Sequence, residues 1–322
     1  MKSLLRKKLR VVLISAEAYP FAGSGTSGLA IQSLPESLSR LGYDVSLVVP
    51  KYRRPAIEAL PFSPVLQRFL IPIGSNKVSS SVYQAEAAVS PASPVDCPVD
   101  PDPPARRFRI YFIENAKYFD RERIFGSENA PYLDNDERFT FFSRAALEFL
   151  WRARIGADII HCHDWPTALV PLFLRTEYGG RRHFRKTASV FTVHNPTAQG
   201  DFPPESFALT GLSWDLFTPE RLAPAGRFNF TAAGFLFADS LSAGDEASAE
   251  AVRTGAAGAE LPAILARRTR AAGEISKKEK KDGNGQGEDT NARFKFEAPA
   301  SGPEVAEVYR QAMILRRGGS HV

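Results

Sequence analysis

The chain has 322 residues, 43% of them hydrophobic, and a formal net charge of +5. That length holds one large α/β domain or two small ones, with a sizeable core. The basic residues fall in short scattered runs (Lys2–Arg10, Arg181–Lys186, Arg267–Arg270, Lys277–Lys281) without a recognition motif, so no nucleic-acid partner is expected. Two cysteines, Cys97 and Cys162, leave no disulfide framework and fit a reducing cytoplasm. The apolar run after the basic N-terminus, Val11 to Ile14, is too short for a signal-peptide core or a membrane span.

Leu9 to Ser15 predicts a first strand, followed by Glu17, Pro20 and a small-residue loop, Ala22-Gly-Ser-Gly-Thr-Ser-Gly28. A helix is expected from Leu29 to Leu41, with Ile31, Leu34, Leu38 and Leu41 on one face and Gly42 ending it. Val45 to Val49 is the next strand, which completes a βαβ unit. Its Gly25-containing first turn can hold phosphate on backbone N–H groups, or be a tight turn without a ligand. Short strands are expected over residues 60–83. Residues 85–106 are rich in Pro, Ala and Ser and predict a mobile loop. Phe108 to Ile113 is a strand, and Asp136 to Ile155 a helix burying Phe139, Phe142, Ala146, Phe149 and Leu150.

Two further strands close on histidines. Asp158-Ile-Ile-His-Cys-His163 is a buried parallel strand, and period 2 puts His161 and His163 on one side with Cys162 on the other. Asp164 is placed to cap the helix that follows. Thr187 to Asn195 is β-branched and ends in His194-Asn195. Both strand tips lie at the carboxyl edge, where open α/β sheets bind ligands. Beyond Gly200, a helix from Asn229 leads to a strand near Ser240–Ala243, and helices are expected over Glu246–Val252 and Glu260–Arg270. Residues 273–322 form a charged tail, disordered except for a short helix over 303–316.

Along residues 9 to 270, a succession of motifs resembles bacterial glycogen synthase and plant starch synthase. They include Ser15-Ala-Glu-Ala-Tyr-Pro-Phe-Ala22, Tyr111-Phe-Ile-Glu-Asn115, Tyr118-Phe-Asp-Arg121, Asp134-Asn135, Phe142-Ser-Arg-Ala-Ala146, His161-Cys-His-Asp-Trp165, Phe191-Thr-Val-His-Asn195 and Gln199-Gly200. The resemblance is to the family's N-terminal half, the starch synthase catalytic domain. It implies a doubly wound, Rossmann-like parallel sheet, one of the two domains of a GT-B glycosyltransferase, here occupying residues 1–272. It also implies the family's reaction: glucose passes from ADP-glucose to the non-reducing end of an α-1,4-glucan with retention, without a cofactor. A separate C-terminal domain would hold the donor.

Carried over position by position, the resemblance makes His163 the catalytic-cleft residue that contacts the transferred sugar. Gly25, Asp134, Asn135, Asp164, His194, Asn195 and Gln199 become substrate-binding residues. Several positions depart from the family pattern. Gly23 stands for a phosphate-facing lysine, Leu29 for an acid, Pro166 for a histidine and Ala198 for a tyrosine. These losses leave open a catalytically inactive relic acting as a glucan-binding or interaction module. Plainer readings stand beside the site readings. His161 and His163 also read as hydrogen-bonded structural residues, and less readily as a metal pair, because further ligands beyond Asp164 are lacking and no metal is expected. Asp134-Asn135 is an ordinary helix start, and His194-Asn195 an ordinary strand cap.

Overall fold

The computed structural model describes residues 8–23, 26–88, 107–127, 130–269, 296–299 and 301–317. Strand β1 (Arg10–Ser15), helix α1 (Thr26–Arg40) and strand β2 (Asp44–Pro50) form the first βαβ unit. One helical turn, α2 (Pro55–Glu58), leads to β3 (Ser63–Ile73), β4 (Asn76–Ala88) and β5 (Arg107–Glu114). Next come the turn α3 (Ala116–Phe119), the long helix α4 (Asn135–Arg152), β6 (Ile159–His163), α5 (Leu169–Phe173) and β7 (Ala188–Val193). A two-residue ladder, β8 (Asp201–Phe202) with β9 (Phe228–Asn229), precedes α6 (Phe230–Phe237), β10 (Ser240–Ala243) and α7 (Glu246–Thr254). Residues 260–269 are helical (α8), and α9 spans Gly302–Arg317.

Eight strands form one sheet in the order β10-β7-β6-β1-β2-β5-β4-β3. From β10 to β5 every neighbouring pair is parallel, and β4 and β3 add an antiparallel hairpin at one edge. The chain runs outward from β1 through β2 to β5, then returns to place β6 on the other side of β1. That reversal puts the topological switch point between β1 and β6, where Ser15 is the register partner of His163. Val11, Val12, Leu13 and Ile14 are buried, as are all residues of β6 and β7, because helices cover both faces of the sheet.

Three features differ from expectation. The short strands expected over 60–83 are one long hairpin, and β4 continues to Ala88, so its last turn of sequence is sheet and not loop. Of the loop expected over 85–106, residues 89–106 lie outside the described residues. Helix α4 buries nearly its whole circumference, Phe141, Ala145 and Leu147 included, because it lies between the sheet and the segments following β6 and β8. Its buried charges are therefore bonded. Arg138 donates to the carbonyls of Tyr118 and Ile124, both at 2.8 Å, and to Asn135 Oδ1 at 2.6 Å.

The third difference is α9. A division at residue 272 leaves it in a tail, yet it packs against β7, β10 and α1 with Val305, Tyr309 and Ala312 buried. Just before it, Ala243 donates its N–H to the Glu297 carbonyl at 3.0 Å. The helix therefore closes one face of the sheet. The disorder expected over residues 273–295 lies outside the described residues.

Candidate functional site

The carboxyl ends of β1, β6 and β7 converge on a cleft of about 630 Å³. Ser15, Ala16 and Glu17 enter it from β1; His163, Asp164 and Trp165 from β6; His194, Asn195 and Ala198 from β7. Asp245 and Ser248, at the start of α7, close the far side. This is the position that the strand reversal dictates.

The turn after β6 is built around Asp164. Its backbone adopts φ 58° and ψ 173°, a region that non-glycine residues rarely enter. The expected cap on the next helix is absent, because that turn is a short 3₁₀ segment to which Asp164 makes no side-chain cap bond. Its Oδ1 instead accepts from the backbone N–H of His194 at 2.7 Å and of Asn195 at 3.1 Å. The carboxylate thus ties the β6 tip to the β7 tip and fixes the spacing of the two histidines.

Three imidazoles lie in series. The rings of His161 and His163 are 4.0 Å apart between centroids, on one side of β6 as period 2 requires. His163 Nδ1 is 3.1 Å from His194 Nε2, so the two share one hydrogen. His161 uses both nitrogens: Nδ1 meets the Tyr309 hydroxyl at 2.9 Å and Nε2 meets Thr192 Oγ1 at 2.6 Å. With both taken, His161 has no nitrogen left for a metal. Among the described residues, no group of three or more His, Cys, Asp and Glu is placed to hold one. His163 Nε2 is different, being buried with no hydrogen-bond partner among the described residues. Burial, reinforced by His161 and His194, holds His163 well below the usual imidazole range. Burial also pushes His161 down to about 3, with a smaller contribution from His194. Both rings are neutral at physiological pH, and a neutral His163 can exchange a hydrogen bond with a ligand hydroxyl.

The other expected residues separate. Asn195 lines the cleft, with Oδ1 accepting from Thr197 N–H and hydroxyl at 3.2 and 2.6 Å. Gln199 does not line it: Nε2 donates to the Ala257 carbonyl at 2.6 Å and Oε1 accepts from Asn229 at 2.9 Å. Asp134 is engaged by the Arg121 guanidinium through both oxygens. Asn135 is buried between the Phe125 carbonyl and Arg138. Neither Asp134 nor Asn135 reaches the cleft, and both instead anchor the loop before α4. Gly25 lies outside the described residues. Trp165 packs edge-on to Phe139 and leaves part of its surface to the cleft, so it is core and lining together.

Glu17 is the cleft residue that sequence reasoning missed. The available signal was its position two residues past the end of β1. Burial pushes its carboxyl up to about 7, with Asp164 adding to the shift and the Gly28 backbone N–H opposing it. The folded chain therefore retains this proton over a range where the unfolded chain, titrating near 4.5, has released it. Stability from this group is complete below pH 4.5 and lost as pH rises through about 7. Compared with Glu17→Gln, the native chain is expected to lose stability progressively over that window and then run parallel. Urea unfolding of both proteins between pH 4 and pH 8, on the order of four steps, checks this; parallel curves throughout contradict it.

Comparison with known proteins places this geometry among relatives. Residues 10–267 match the family described as the starch synthase catalytic domain. The glycogen synthase of Thermodesulfovibrio yellowstonii is 36% identical over 264 residues, which cover 81% of this chain and 52% of that protein. Glycogen synthase 2 of Geobacter sulfurreducens is 35% identical over 260 residues, 81% of this chain and 50% of that one. The chain spans about half the length of these curated relatives. In fold it is similar to the catalytic domain of starch synthase IV from Arabidopsis thaliana bound to ADP and acarbose. The TM-score is 0.68 at 24% identity, over 82% of this chain and 50% of that one. No helix among the described residues is long and apolar enough to cross a membrane.

Proposed function

The chain belongs to the starch synthase catalytic domain family, and on that premise we propose that its cleft is the glucan-facing half of a glucosyltransferase site. The reaction is transfer of glucose from ADP-glucose to the non-reducing end of an α-1,4-glucan with retention. His163 faces the sugar, while Asp164, His194 and Asn195 shape the pocket around it. Turnover requires a second, donor-binding domain facing this cleft.

The observation that carries this reading is the charge of the lining. Asp164 and Asp245 supply carboxylates and Glu17 a carboxyl, and among the described residues no Lys or Arg lines the cleft. Carboxylates, imidazoles and an indole suit a neutral polyol. A nucleotide diphosphate needs cations, and those must come from the other domain. An open half-cleft buries a sugar from one side only, so maltoheptaose is expected to bind with a Kd on the order of 1 mM, about −4 kcal/mol. Titration followed by NMR should move the His163 and His194 ring signals, and His163→Ala should abolish the effect. Shifts confined to other regions would overturn the assignment.

The relic reading draws on one further feature. Gly23 occupies the position of the family lysine at φ +76°, and a Cβ built there lies 3.1 Å from Glu17 Cδ. The loop is shaped for glycine, so Gly23→Lys alone introduces strain along with the charge.

A further inference from the structure

The opposite edge of the sheet carries a second cavity. Asp239 immediately precedes β10, which runs parallel to β7 and β6, so Asp239 lies at the amino ends of strands whose carboxyl ends form the cleft. A cavity of about 420 Å³ opens there, lined among the described residues by Arg175, Arg221, Arg268 and Arg316 and by one carboxylate, Asp239.

The inner part of this cluster is fixed by the fold. Arg175 lies in a π-type turn following α5, Leu174–Tyr178, and its side chain is 10% exposed. It pairs with Asp239, which is 3% exposed. The second Asp239 oxygen is taken by Ser189, from N–H at 2.7 Å and from Oγ at 3.0 Å. Arg268 donates to the carbonyls of Leu236, Ala238 and Asp239 at the end of α6. Burial lowers Arg268 to about 10, with Asp239 opposing the shift and Arg175 adding to it. Arg175 Nη1 is buried with no hydrogen-bond partner among the described residues. Inside the cavity, then, guanidiniums gather beside a carboxylate whose oxygens are already engaged, and Arg175 Nη1 is a buried donor left unused among the described residues. A buried guanidinium donor left unused beside a cavity lined by further arginines calls for an anion.

We propose that this cavity binds a small phosphate-bearing anion. Arginine forks match phosphate oxygens in pairs, which is the geometry that favours Arg over Lys at such sites. The volume exceeds what orthophosphate fills and admits a phosphate group on a short carbon skeleton. Its walls come from the turn after α5, from α6, from α8 and from α9, so the ligand adds a further tie between these segments. Binding there stabilises the fold by mass action, independently of any chemistry in the cleft.

The test uses the full chain at constant ionic strength with chloride as reference. Calorimetric titration and thermal unfolding are followed with inorganic phosphate and with ribose 5-phosphate. Saturable binding is expected, with a matching rise in Tm. Equal affinities identify the ligand as orthophosphate, and tighter binding of the sugar phosphate identifies a phosphorylated metabolite. Arg221→Ala with Arg316→Ala should weaken binding at least about tenfold, and the exposed Arg221→Ala alone tests the site without endangering the fold. His163→Ala, in the other cavity, should leave binding unchanged. Absence of saturable binding by both ligands, or binding undiminished in both arginine variants, overturns the proposal.

Discussion

Incubated with labelled ADP-glucose and glycogen, the purified chain is expected to incorporate no measurable glucose. Three physical deficits combine. Among the described residues, no Lys or Arg lines the cleft to neutralise a departing diphosphate. Loss of one electrostatic contact of that type typically lowers the rate by about 10²–10³. Gly23, which by the resemblance stands where the family has a lysine, is held at a positive φ, and a Cβ built there would meet Glu17. Positioning of the donor against the acceptor accounts for about 7–11 kcal/mol in well-oriented reactions, and a single open domain neither holds the donor nor excludes water. Activity should appear only when a donor-binding domain, equivalent to the portion of the relatives that this chain does not match, is supplied. Turnover by the chain alone that disappears in His163→Ala would refute this and establish a complete site within these residues.

How far the sequence disclosed this site depended on how local each cause was. The β1, β6 and β7 strands were legible because uninterrupted β-branched and apolar runs need only their own residues to be read. The pairing of His161 with His163 on one side followed from period 2 alone. Asp164 was misread because its partners, the N–H groups of His194 and Asn195, are about thirty residues away and meet it only after β6 and β7 pair. Gln199, Asp134 and Asn135 were carried over by resemblance, and here their polar groups are engaged by Asn229, Arg121 and Arg138. Nothing in a linear pattern separates a ligand-facing amide from one that braces a loop. Glu17 was passed over for the opposite reason: its raised pKa comes from burial and from Asp164, and both are created by the fold.

Helix α9 presents the same limit at larger scale, and it yields the largest expected stability effect. In sequence it is an amphipathic stretch after a charged run, and such a stretch reads as peripheral. In the fold, Tyr309 is fully buried, with its ring edge-on to His161 at 5.5 Å and to Tyr43 at 6.0 Å. Its hydroxyl bonds His161 Nδ1 at 2.9 Å, and Val305 lines a small cavity of about 240 Å³ behind His163 and His194. Tyr309→Ala should therefore destabilise the chain by about 3–5 kcal/mol, the range for deleting a buried aromatic. That is a large share of a total stability of roughly 5–15 kcal/mol. Tyr309→Phe keeps the ring contacts and removes only the hydroxyl, leaving His161 Nδ1 buried without this partner, at a cost of about 1–3 kcal/mol. Urea unfolding separates the two variants through their midpoints, and an unchanged slope shows that the same surface is exposed. The order native, Phe, Ala is the expected result. If Tyr309→Ala instead unfolds within about 0.5 kcal/mol of the native chain, the range of a surface substitution, then α9 is not a docked element and the back of the histidine cluster is open.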